Sequence, residues 1–261
     1  MKDQLGRHIN LKSTPQRIIS LVPSQTELLY DLGLEERIIG VTKFCVHPKR
    51  ALVNKTVVGG TKDVKYELIQ SLKPDVILCN KEENTKEIVS TLEKISTVHV
   101  SDIYTLQDSL ALIKQYGKLF SAENSAENLI TTITSEWKSF KAFVKDASEK
   151  KMAYFIWRKP WMVAGNNTFI DFLLKENRFI NAFGEKARYP EVLLSELKMM
   201  EDLDYILLSS EPFPFKQKHI DEIHRELPSV KIILVDGEYF SWYGSRLQNA
   251  FKYFESLHKK I

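Results

Sequence analysis

Cysteine is scarce in this 261-residue chain: Cys45 and Cys79 are the only two, and neither stands in a C-x-x-C or other zinc-type spacing. A disulfide framework and a cysteine-built zinc site are thereby excluded. Both thiols are expected reduced, Cys79 at the end of a buried strand and Cys45 in a loop. No run of 18 apolar residues occurs, which rules out a membrane-spanning helix, and Met1 to Pro15 is polar and charged, without the apolar stretch of a signal peptide. As it stands the sequence predicts a cytoplasmic protein, or a periplasmic or cell-surface one if a leader has been removed. Charge of one sign is also lacking: 37 Lys and Arg face 34 Asp and Glu, a net charge of +3, so no nucleic acid partner is predicted. Neither GxGxxG nor GxxxxGK[ST] is present, and Gly59-Gly60-Thr61-Lys62 only superficially suggests a phosphate loop, which disfavours nucleotide binding. No low-complexity tract or flexible linker interrupts the chain.

What is present is an apolar content of 43%, enough for real cores, arranged as short apolar runs alternating with helical patterns. Arg17 to Val22 reads as a strand that meets Pro23-Ser24-Gln25-Thr26-Glu27 and a helix, with Ser24 and Glu27 at capping-box spacing. Further strands are expected at Ile38–Val41, Val57–Val58, Val76–Cys79 and Val98–Val100, separated by helices. From Ser121 to about Lys150, Ala122, Ala126, Leu129, Ile133, Trp137, Phe140, Val144 and Ala147 recur at steps of three and four. That spacing predicts one long helix, a rod on the order of 40 Å that bridges two halves and buries Trp137. The pattern then restarts, with strands at Met152–Trp157, Trp161–Ala164, Tyr205–Leu208 and Lys231–Val235. Strands and helices in alternation demand parallel pairing, hence α/β architecture: two Rossmann-like lobes with parallel sheets, 1–120 and 151–261, joined by a backbone helix over 121–150.

In open parallel sheets, ligands bind beyond the carboxyl ends of the strands, so the loops there are the place to look. Trp157, Trp161, Trp242, Phe213, Phe215, Tyr239, Phe240 and Tyr243 all fall in such loops. Aromatic residues crowded there suggest a binding surface, the plainer reading of any single one being that it caps a sheet end. Arg158, Lys159, Glu211, Asp236, Glu238 and Arg246 supply polar groups. Asp236 and Glu238 are paired carboxylates, but no convincing nucleophile or metal set accompanies them, so no catalytic residues are assigned and an enzyme is not expected. Cys45 and His47 form a C-x-H pair, short of the three or four ligands of a stable metal site; His99 lies on another element, and His219 and His224 are expected on a solvated helix face. Cys45 remains a candidate ligand to a metal already carried by a solute.

With these elements in place, Arg17-Ile-Ile-Ser-Leu-Val-Pro-Ser-Gln-Thr-Glu27, Ile39-Gly-Val-Thr42 followed by Pro48, Leu72-Lys-Pro-Asp-Val-Ile77 and Tyr189-Pro190 make the chain resemble the class III, helical-backbone periplasmic binding proteins, the substrate-binding components of ABC importers, especially their cobalamin-binding branch. The resemblance runs from Arg17 to the end. It implies two rigid lobes facing each other across a cleft that holds a corrinoid or an iron chelate, as a transported ligand with no cofactor required. Together, loop chemistry and resemblance mark Ser24, Phe44, Cys45, His47, Thr61, Lys62, Asn80, Trp157, Arg158, Trp161, Tyr189, Glu211, Phe213, Phe215, Tyr239, Trp242 and Arg246 as candidate ligand contacts. Family members present one acidic residue per lobe to arginines of a membrane permease. Glu67 matches the first, whereas Ser195 occupies the second position with Glu196 beside it. The expected partners are a small-molecule metal chelate and an ABC permease, and the expected state is a monomer. A metal-ion-binding protein, or an enzyme using the same cleft, stand as the alternatives.

Overall fold

β1 (Ile18–Ser20) is an apolar run buried on both faces, which is what a central parallel strand requires. In the computed structural model, which describes every residue from Met1 to Ile261, it lies in the middle of a five-stranded sheet. The chain passes through α1 (Pro23–Asp31), a 3-10 turn (Glu35–Arg37), β2 (Ile38–Val41), α2 (Arg50–Asn54), β3 (Thr56–Val57), α3 (Tyr66–Ser71), β4 (Val76–Asn80), α4 (Lys86–Leu92), β5 (Thr97–Ser101) and α5 (Leu106–Phe120). The order is β3-β2-β1-β4-β5 and every pairing is parallel. Strand order therefore reverses between β1 and β4, the switch point at which such sheets open a crevice. On one face Ile19, Leu21, Ile77, Cys79 and Val100 pack with Ile69, Ile88 and Leu92 from α3 and α4.

α1 does not use the expected capping box. It starts at Pro23, whose missing N–H costs nothing at a helix start, and Val22 caps it without a side-chain bond, while Glu27 is drawn to Arg246 instead. The box appears on α5, where Thr105 Oγ1 accepts from the Asp108 N–H at 3.2 Å and Asp108 accepts from the Thr105 N–H at 2.9 Å.

The long helix is shorter than its periodicity suggests. Ser121 adopts the left-handed conformation (φ 53°) and ends α5, so the next helix, α6, runs only from Glu123 to Phe143, about 30 Å. Ala126, Leu129, Ile133, Phe140 and Val144 are buried as the stripe requires, but Trp137 is only half-buried and its indole N–H donates to Glu176 at 2.5 Å. Gly117 of α5 lies so close to α6 that a Cβ there would sit 2.7 Å from that of Ala126.

The chain divides into two compact units inside α6: Met1–Ser135 with Trp242–Gln248, and Glu136–Ser241 with Asn249–Ile261. The second contains β6 (Lys150–Trp157), β7 (Met162–Val163), α7 (Phe169–Glu176), β8 (Phe179–Asn181), α8 (Leu194–Lys198), β9 (Tyr205–Ser209), α9 (Gln217–Glu226), β10 (Lys231–Val235) and α10 (Glu238–Ser241), and most of α11 (Leu247–His258). β10, β9 and β6 pair in parallel; the other edge of β6 is shared by β8, parallel at its start, and β7, antiparallel at its end. Ala153, Phe155, Ile206 and Leu208 meet Leu197, Ile223 and Leu227 in one core layer.

Three imidazoles are sequestered. His99 is fully buried, with Nε2 3.1 Å from Gln115 Oε1 and no partner for Nδ1, and burial also takes in His219 and part of His258. His219 is thus not on a solvated face, because Phe213 and Phe215 pack edge-on against its ring. Burial is the main reason that all three hold their pKa below the ordinary 6.5. A histidine with a lowered folded pKa contributes stability above 6.5 that is lost as the pH falls toward its folded value. Between pH 7.5 and 5.5 the urea midpoint of the wild type should therefore fall further than that of His99→Gln. Equal changes would show that burial does not lower the His99 pKa in the folded protein.

Candidate functional site

In the first unit the switch-point crevice is filled by the chain itself. Tyr243, from the strap Trp242–Gln248, places its hydroxyl 2.9 Å from Gln25 Nε2, which donates to it, and 3.3 Å from Ser101 Oγ at the end of β5. Gln25 also donates to Ser101 Oγ at 2.6 Å and accepts from the Tyr116 hydroxyl at 2.6 Å, so every polar atom of its amide is used. The Gly244 N–H donates to Ser109 Oγ at 2.9 Å. Burial pushes the phenols of Tyr116 and Tyr243 up, so both stay neutral donors.

The strap is fastened by Arg246, which forms a two-pronged ion pair with Glu27 at 2.9 and 2.7 Å and lies 4.9 Å over the Trp242 ring. Burial raises the Glu27 pKa, and Arg246 works against that rise. The other side of Trp242 receives His47 edge-on, ring centres 5.4 Å apart. Trp242 is only 7% exposed, so this tryptophan belongs to the core of the first unit more than to an open loop.

Several candidates beside it are likewise closed off. Cys45 is fully buried, 3.1 Å from Thr26 Oγ1 and 3.2 Å from Thr42 Oγ1, and burial pushes the pKa of its thiol up. Asn80 is buried and shapes the turn after β4, accepting from the Glu82 N–H at 2.8 Å and donating to Ser101 Oγ at 3.0 Å. Ser24 and Thr61 are also buried. What the first unit presents to solvent is the rim: Phe44, 49% exposed with the Lys43 ammonium 5.1 Å over its ring, half-exposed His47, and Lys62, which donates to the Glu82 carbonyl.

In the second unit the loops after β6 and β9, neighbouring strands, bring four expected rings together. Trp157, 39% exposed, meets Phe213 edge-on at 5.7 Å; Phe213 meets Phe215 at 4.8 Å; and Trp161 stacks on Phe215 at 6.1 Å, 3° from parallel. Phe215 is the buried member. Arg158 lies 5.6 Å over Trp161 and makes two 2.8 Å bonds to Glu222, which hold that carboxyl below its usual pKa. Three other candidates stand apart from this cluster. Tyr189 is half-buried under Arg188, Tyr239 stacks on Tyr253 at 4.6 Å, and Glu211 accepts from Ser241 Oγ at 2.5 Å.

The two docking candidates differ. Glu67, in the first turn of α3, is exposed. Glu196 accepts from the Leu193 N–H at 3.0 Å and pairs with Lys186 at 3.0 Å, both of which lower its pKa. Asp236 accepts from the Glu238 N–H at 3.1 Å, so that pair shapes a turn. No three His, Cys, Asp or Glu side chains converge in a way that would hold a metal ion, and no helix is long and apolar enough to cross a membrane. Gln25 and Tyr116 carry no local signal in the sequence, since their partners lie up to 218 positions away.

The profile described as periplasmic binding protein matches residues 18–230. An uncharacterized ABC transporter substrate-binding lipoprotein, YvrC of Bacillus subtilis, is 27% identical over 73% of this chain and 62% of its own length. A vitamin B12-binding protein of Vibrio parahaemolyticus is 26% identical over 70% of the chain and 66% of its own length. The chain thus spans a little under two thirds of these curated relatives. Among solved structures, the vitamin B12 binding protein BtuF of Vibrio cholerae superposes with a TM-score of 0.80 at 17% identity, covering 95% of this chain and 99% of that one. The heme-binding protein RhuT of Roseiflexus gives 0.80 at 18% identity, with 93% and 99% covered. At these identities the superpositions speak for the fold.

Proposed function

The chain belongs to the periplasmic binding protein family, and from that premise we propose that it is the non-catalytic solute-binding component of an ABC importer whose solute is a metal chelate, either a corrinoid or an iron chelate. The observation that carries the reading is the ring cluster of Trp157, Trp161, Phe213 and Phe215 at the carboxyl ends of β6 and β9. Flat aromatic faces suit a planar macrocycle and contribute large contact area for little lost side-chain freedom. Vitamin B12 and heme, named for relatives and structural neighbours, are ligands of that shape. Bare metal ions are less well served, since no set of three ligands converges. On this reading the protein works outside the cytoplasmic membrane and delivers to a permease, with Glu67 more available for docking than Glu196.

Protein purified from its native host should carry a coloured ligand, identified by absorbance and mass spectrometry. Cobalamin, cobinamide and hemin should quench its tryptophan fluorescence. Trp157→Ala should weaken binding about thirtyfold, the ~2 kcal/mol of a stacked aromatic, with little loss of stability. Trp242→Ala should do the reverse and lower the melting temperature, because that ring is buried. If none of these chelates quenched the wild type at tens of micromolar, about where ordinary small-molecule sites fill, the chelate reading would fail.

A further inference from the structure

Beside the ring cluster, α8, α9 and the turn after β6 line an open pocket of about 720 Å³ that lies wholly within the second unit and shares only Trp161 and Arg158 with the residues of the chelate reading. Its size falls in the range of ordinary ligand pockets, roughly 300–1,000 Å³. Trp161, Leu193 and Leu194 supply an apolar wall, and Leu193 is 66% exposed. The carboxylates lining it are already engaged: Glu222 by Arg158 at 2.8 Å and Glu226 by Lys198 at 3.6 Å. The cations opposite are not. Lys218 makes no ion pair, and the only bond of Arg225 runs from Nε to the Asp221 carbonyl at 3.2 Å.

His219 adds an independent observation. It is 4% exposed and lines the pocket, and its Nδ1 accepts from the Lys216 N–H at 2.9 Å, which places the ring proton on Nε2. That Nε2–H has no protein acceptor. The pocket therefore offers two unpaired cationic donors and one nearly buried neutral donor beside apolar carbon, and its acceptors are already bonded apart from the exposed hydroxyl of Ser195. A cation would meet repulsion, and a bare inorganic anion would leave the leucines uncovered.

We infer that this pocket is a binding site for an organic anion, a small molecule whose carboxylate is received by Arg225, Lys218 and the His219 Nε2–H while its apolar body lies on Leu193, Leu194 and Trp161. The site shares Trp161 with the chelate loops, but its anion-receiving groups and Leu193 lie outside them, so the variants below test it whether or not a chelate binds. Full-length protein is titrated with octanoate and, as controls, octylamine and inorganic phosphate, and amide shifts are followed by NMR. Octanoate should bind with a Kd on the order of 1 mM, as expected for so few atoms, and its shifts should centre on Leu193–Ser195 and Lys218–Glu226. Arg225→Gln should weaken it about fivefold or more, the loss of one charged hydrogen bond. Leu193→Asp should abolish it, and Lys252→Gln should leave it unchanged, with melting curves confirming that each variant is folded. Equal binding of octylamine, equal binding of phosphate, shifts confined to other surfaces, or an Arg225→Gln variant as competent as the wild type would each overturn the proposal. So would protection of Leu193 and Lys218 by a partner protein with no octanoate binding, which would make the groove a protein-docking surface.

Discussion

Replacing Glu27 with alanine is expected to destabilise the protein by about 3–5 kcal/mol, the usual result of removing one partner from a buried ion pair. The side chains of Glu27 and Arg246 are 18% and 11% exposed and joined by two hydrogen bonds, so the variant takes both of those charged bonds from a guanidinium that is largely out of water. The loss spreads along the strap, because Arg246 lies over Trp242 and Trp242 holds the ring of His47. Tyr243, next in sequence, closes the crevice between β1 and β4. Urea denaturation measures the effect. Glu27→Leu with Arg246→Met, which removes both charges and keeps the volume, should lie closer to the wild type than Glu27→Ala alone. A Glu27→Ala variant within 1 kcal/mol of the wild type would show that the pair is solvated in solution and the strap loosely held, at odds with its burial.

Phe140→Ala should cost a similar amount, about 3–5 kcal/mol, through cavity formation rather than charge. Phe140 is fully buried in the second unit, with ring centres 5.7 Å from Phe251, 5.9 Å from Phe254 and 6.0 Å from His258. These rings come from α11, so the variant should loosen the seat of α11 against the second half of α6. Phe140→Leu, which restores most of the volume, should recover more than half of the loss. If alanine and leucine had equal small effects, the ring would not be close-packed and this part of the α6 stripe would be peripheral.

The strand-end loops were legible because parallel sheets put them at one edge whatever the side chains do. β6 and β9 are neighbours, so Trp157 and Trp161 had to emerge beside Phe213 and Phe215. Burial was less legible. Trp242 and Phe215 look like loop aromatics by position, yet each is covered by a ring from far away in sequence, His47 for one and Trp161 for the other. The burial of Cys45 was hidden in the same way, since Thr26 of α1 and Thr42 of its own loop both approach its sulfur.

Local periodicity and short motifs by themselves determined the α/β class, the parallel first sheet, the amphipathic stripe around Phe140 and the resemblance that the family match bears out, but not the antiparallel edge that β7 gives the second sheet. These properties are carried by residues within a few positions of one another, so they survive in any chain with that pattern. Only the tertiary structure decided where α6 begins, because the left-handed turn at Ser121 is a single backbone choice that helical spacing does not record. It also decided that the strap returns to the first unit, that Glu27 prefers Arg246 to its own helix cap, and that Gln25 is saturated by Tyr116, Tyr243 and Ser101. Those are contacts between groups 76 to 219 positions apart, set by the free energy of leaving buried polar atoms unpaired, and that cost exists only once the chain has folded around them.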